Sequence, residues 1–148
     1  MIHTSPIFSG SISMSGSLLV NGNDLSNGAT PIDGTVSNAK LAAEFNTTST
    51  LTAGASVSVD CSSAQVFSLT PNQNTALNIT NPRVGSTKLI VVTGAGGGYA
   101  LSWTVGGSSG TFNLVAGTYN DTLSTKNFIQ LTCVAPTEFW YTISQIAS

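Results

Sequence analysis

At 148 residues, with four Lys and Arg against six Asp and Glu, the chain has room for one domain with a real core plus an extended segment, and it is close to neutral. Lys40, Arg83, Lys88 and Lys126 are scattered, so composition excludes the clustered cations that hold a nucleic-acid backbone, and no apolar stretch is long enough for a membrane-spanning helix. The opening "MIHTSPIFSGSISM" has neither the basic start nor the unbroken apolar run of a signal peptide, so the expectation is a protein made and folded in a cytosol.

Residues 1–28 read as an extended, Ser/Gly-rich assembly segment. "SGSISM" at 9–14 is followed directly by "SGSLLV" at 15–20. In an extended chain Ile12, Met14, Leu18 and Val20 fall on one face, with mostly serines opposite. A stretch this short cannot bury that face by itself. The pattern therefore predicts that these four residues are oligomer or docking contacts. A homotrimer fits, because small Gly and Ser residues let three backbones approach while the apolar side chains fill the axis. The competing reading is a flexible terminal arm.

Residues 29–50 read as a linker. The turn "TPIDGT" precedes "SNAKLAAEF", a helix of about two turns with Ser37 as its cap and Leu41 and Phe45 at i, i+4 as its apolar face.

Residues 51–148 read as strand after strand. The expected strands are "SVSVDC", "QVFSLT", "TALNIT", "KLIVVT", "YALSWT", "TFNLV", "FIQLTCV" and "FWYTISQI", separated by Gly-, Pro- and Asn-rich turns. The fold class is all-β, with the extended segment and short helical linker followed by an antiparallel β-sandwich or jelly-roll-like domain. Its expected core is Val57, Val59, Phe67, Leu69, Leu77, Ile79, Leu89, Val91, Leu101, Trp103, Phe112, Ile129, Leu131, Phe139, Tyr141 and Ile143.

One stretch, "VVTGAGGGYALSW" at 91–103, imitates a dinucleotide-binding turn. Such a turn needs a helix after it, whose N-terminal N–H groups hold the pyrophosphate. Here Tyr99, Leu101, Trp103 and Val105 alternate with small or polar residues, the period of a strand. The last glycine of the fingerprint is missing, Asp121 is the only acid near the ribose-binding spacing, and no Tyr-x-x-x-Lys pair follows. The stretch is expected to be a loop joining two antiparallel strands, with no cofactor.

"DGTVSNAKLAAEF" at 33–45 resembles the D-G-[ST]-[VI]-[ST]-x-A-K-L-A linker of bacteriophage tail fibres and related virion proteins. The run from "VFSLTPNQNTALNITNP" through "KLIVVTGAGGGYALSW" to "FIQLTCVAPTEFWYTIS" resembles a β domain of phage structural proteins, so the likeness covers about residues 30–148. It implies a non-enzymatic virion structural protein, fibre-like or surface-decorating, made in the host cytoplasm and docked to capsid, tail or baseplate proteins. Tail-fibre chains are longer, which favours a small appendage, a baseplate accessory or a capsid decoration. The alternative it implies is a tail fibre tip that binds a receptor or host surface glycan.

Catalytic chemistry finds little support in the residues. The acids Asp24, Asp33, Glu44, Asp60, Asp121 and Glu138 are dispersed rather than paired as a glycosidase requires, and Asp24, Asp33 and Asp121 sit in turn-like settings where carboxylates cap backbone N–H groups. His3 lies next to a terminus, without a rigid scaffold for a nucleophile and base. Cys61 and Cys133 lack metal-ligand spacing; free buried thiols are expected, with a disulfide left open. The sequons at Asn46, Asn78 and Asn120 are read as coincidences of an Asn- and Thr-rich chain. Among Tyr99, Trp103, Tyr119, Trp140 and Tyr141, most rings should fill the core. Trp140 is the candidate glycan contact, because it points away from Phe139 and Tyr141 on the same strand.

Overall fold

Alternating apolar residues become strands at all eight places expected after residue 51. In the computed structural model, which describes residues 19–20, 23–24 and 41–146, these are β4 (Ser56–Asp60), β5 (Val66–Leu69), β6 (Thr75–Thr80), β7 (Thr87–Thr93), β8 (Leu101–Val105), β9 (Thr111–Ala116), β10 (Lys126–Ala135) and β11 (Glu138–Ile146). A short strand, β3 (Thr48–Thr50), precedes them. The chain divides into two units, Met1–Ser37 and Asn38–Ser148. In the first, β1 (Leu19–Val20) pairs antiparallel with β2 (Asn23–Asp24). Ile12, Met14 and Leu18 lie outside the described residues, and Val20 is placed only as backbone in β1.

In the second unit, successive strands alternate between two sheets. β3, β5 and β7 lie side by side in parallel in one sheet, and β4, β6 and β8 do so in the other. The pairs β3–β4, β5–β6 and β7–β8 are thus three rungs of a solenoid-like coil. The stack stops there: β10 pairs antiparallel with β7, β11 antiparallel with β10, and β9 runs parallel to β11 at the edge, giving the six-stranded order β3-β5-β7-β10-β11-β9.

This corrects the expected antiparallel sandwich or jelly roll. Parallel ladders dominate because each strand crosses a short corner to the opposite sheet, and the chain then returns beside its predecessor in the same direction. Alternation along a strand is the same whichever way its neighbour runs, provided one face is buried. The glycine-rich loop is accordingly a corner between sheets, since β7 and β8 belong to different sheets.

The core lies between the sheets. Its rows follow the register: Val57, Leu77 and Trp103 stack across the three-stranded sheet, and Phe67, Ile90, Ile129 and Ile143 across the larger one. Fully burying such a side chain contributes about 1.5–3 kcal/mol. Fourteen hydrophobic residues among those described form this buried cluster, so the unit has a core of its own. Where the rungs stop, aromatic rings close the core: Trp103 stacks on Phe112 (centroids 5.3 Å) and Phe112 on Phe139 (4.9 Å), with Tyr141 tilted against Trp103 (5.0 Å).

Two local expectations fail. On β7 the buried residues are Lys88, Ile90 and Val92, while Leu89 and Val91 face outward. The inward face of this strand begins with a lysine, which disguises it in an otherwise continuous apolar run. In the linker, the described helix α1 is one turn, Ala43–Asn46, with no side-chain cap. Leu41 and Phe45 are exposed and Glu44 is buried instead; Ser37, the predicted cap, lies outside the described residues. A single turn has no apolar stripe to bury, so its position follows from the partners of Glu44.

Candidate functional site

The glycine-rich corner shows what those glycines do. Asp121 reaches into it: one carboxylate oxygen accepts the Ala95 N–H (3.0 Å) and the Tyr119 hydroxyl (2.9 Å), and the other accepts the Tyr99 N–H (2.9 Å). A loop able to cradle a phosphate with backbone amides thus spends them on the chain's own carboxylate. Burial pushes the Asp121 pKa up, but the amides of Ala95 and Tyr99 and the Tyr119 hydroxyl outweigh it and hold the group below its usual range. Burial and the neighbouring carboxylate push the Tyr119 hydroxyl well up. Gly94 is required here, because a Cβ on it would collide with the Thr122 carbonyl.

The other described carboxylates are also engaged. Glu44, buried on α1, pairs with Arg83 Nε (3.0 Å), and its backbone carbonyl accepts from the buried Lys88 ammonium (2.7 Å). Asp60 accepts from Asn81 Nδ2 (2.9 Å) and from the Ser62 hydroxyl (2.7 Å) and N–H (3.0 Å), which together lower its pKa. Glu138 accepts from Asn113 Nδ2 and from the Trp140 indole, both at 3.1 Å. The side chains of Asp24, Asp33 and His3 are outside the description.

Cys61 and Cys133 are free and buried. Burial pushes the Cys61 thiol up to about 11 and raises that of Cys133 as well, so both are inert thiols at neutral pH. Among the described residues no group of three or more His, Cys, Asp or Glu could hold a metal ion, and no helix is long and apolar enough to cross a membrane.

The aromatic residues divide sharply. Trp103, Phe112, Tyr119 and Tyr141 pack on the core, whereas Trp140 is 51 % exposed beside Phe139 at 1 %. Alternation along β11 puts Trp140 on the outer face of the six-stranded sheet. There the register sets Thr87, Thr132, Trp140 and Asn113 in one row and Leu89, Gln130 and Thr142 in the next. Val115 and Val134 complete an open trough of about 350 Å³ around the indole. Alternation alone singled out Trp140; its neighbours come from four strands whose pairing sequence reasoning did not anticipate. No family model, curated protein or solved structure matches the chain.

Proposed function

We propose that the chain is a non-enzymatic structural protein of a bacteriophage virion, a trimeric fibre-like or surface-decorating component that acts by self-association and by docking to other virion proteins. The observation that carries this reading is the division of the chain. A β unit with its own core follows a Ser/Gly-rich repeat whose apolar residues Ile12, Met14, Leu18 and Val20 need a partner to be buried. The N-terminal segment attaches and the β unit is displayed. Supporting the absence of catalysis, Glu44, Asp60, Asp121 and Glu138 each serve a structural bond rather than standing free in a cleft.

Light scattering of the purified full chain tests the reading. A trimer is expected, and a monodisperse monomer at micromolar concentration would overturn self-association. Copy number per virion then separates the two addresses: hundreds of copies place the protein on the capsid, a dozen or fewer on the tail.

A further inference from the structure

We propose that the trough around Trp140 binds a neutral saccharide, a function beyond the assembly role and independent of it. The first ground is the indole. An exposed tryptophan is free to lie flat on its own sheet, but here its N–H is tied to Glu138 Oε1 (3.1 Å), an atom that Asn113 Nδ2 also holds (3.1 Å). The ring is therefore set in place before any ligand arrives, which reduces the ordering cost of binding.

The second ground is the polar lining. Thr87 and Thr132 satisfy each other, hydroxyl to hydroxyl, at 2.8 Å. Gln130 and Thr142, one row away, make no side-chain hydrogen bond to another described residue, although both line the trough. Beside the ring there are thus an amide and a hydroxyl, each able to donate and accept. A pyranose matches this combination: its C–H face is attracted to the negative face of the indole, and its rim of hydroxyls meets the amide and the threonine. A protein partner fits less well, since the core of such an interface is dry and apolar, whereas here Val115 and Val134 share the lining with the polar Thr87, Gln130, Thr132 and Thr142.

Charge and size narrow the class. Among the described residues no Lys or Arg lines the trough, and the nearby carboxylate of Glu138 repels anions, so a sialylated, uronic or phosphorylated sugar would find no counter-charge. The trough volume of about 350 Å³ lies at the small end of ligand clefts, which run about 300–1,000 Å³. One or two sugar rings would occupy it, as part of a longer chain.

The test is an array of neutral and acidic oligosaccharides probed with the full-length chain, followed by titration of the best neutral disaccharide while tryptophan emission is recorded. Saturable binding confined to neutral glycans is expected, with a shift in emission and little response to added NaCl. Trp140→Ala should weaken binding by at least about tenfold, Trp140→Phe by less, and Gln130→Leu with Thr142→Val should also reduce it. All three positions lie on the outer face, so far-ultraviolet circular dichroism should be unchanged. Binding to no glycan, binding only to acidic ones, or binding indifferent to Trp140→Ala would overturn the proposal. So would a fall in the scattered mass of Trp140→Ala, because the trough would then be an interface between copies. A monomeric native chain that binds neutral saccharide would leave this site standing and remove only the assembly reading.

Discussion

Asp121→Ala removes the group around which the glycine-rich corner is folded. Three donors lose their acceptor: the N–H groups of Ala95 and Tyr99 and the Tyr119 hydroxyl. Hydrogen bonds to a charged partner contribute about 1.5–3 kcal/mol each, so full loss of three would cost about 4.5–9 kcal/mol. The corner is half-buried, with Gly96, Gly97 and Gly98 exposed, and water replaces much of what is lost; the expected cost is about 2–4 kcal/mol. In a unit of this length each kcal/mol moves Tm by about 4 °C, which gives a fall of about 8–16 °C in a circular dichroism melt at pH 7. The pH dependence has a definite sign. Because folding lowers the Asp121 pKa from its ordinary 3.8, its stabilisation is fully present above that value and is lost as pH falls through the lower, folded-state pKa. The native and Asp121→Ala melts should therefore converge below pH 3.8. A variant that melts within about 2 °C of the native protein at pH 7 would show that the glycines hold the corner without the carboxylate.

Other expectations concern backbone, core and assembly. Gly117 has φ +84° and a Cβ on it would strike the Ile143 carbonyl, whereas Gly85, also at φ +84°, faces open space; urea unfolding should show Gly85→Ala costing about 1–2 kcal/mol and Gly117→Ala more than about 3 kcal/mol, or no folding at all. Asn127 is buried and uses both amide hydrogens, on the Val92 and Asn120 carbonyls, and its oxygen, on the Asn120 N–H and the Gln145 amide. Asn127→Leu should lose about 2–4 kcal/mol in the same assay. With the Cys61 thiol pushed up to about 11, a thiol-exchange reagent should label neither cysteine in the native protein and both in urea; rapid labelling before unfolding would contradict their burial. Changing Leu18 and Val20 together to Ser should abolish assembly while the far-ultraviolet β signal survives, since each buried side chain contributes about 1.5–3 kcal/mol per chain; unchanged light scattering would leave the segment a flexible arm.

The amino-acid sequence by itself determined where the strands lie after residue 51, because one face of each is buried and the side chains alternate with a period of two. It also set apart Trp140, whose parity on β11 is opposite to that of Phe139, and it placed a strand at "YALSW", where a dinucleotide-binding turn needs a helix. Tertiary structure alone decided which strands pair. Val57, Leu77 and Trp103 stack at unequal intervals along the chain, so the rungs leave no fixed repeat to recognise, and parallel and antiparallel neighbours demand the same alternation. It also decided the inward face of β7, where Lys88 is buried because the Glu44 carbonyl, supplied by a distant turn, accepts its ammonium. The same holds for Asp121 and for the trough: a carboxylate's donors and a tryptophan's neighbours come from other strands, and local pattern carries no information about contacts made only when those strands meet.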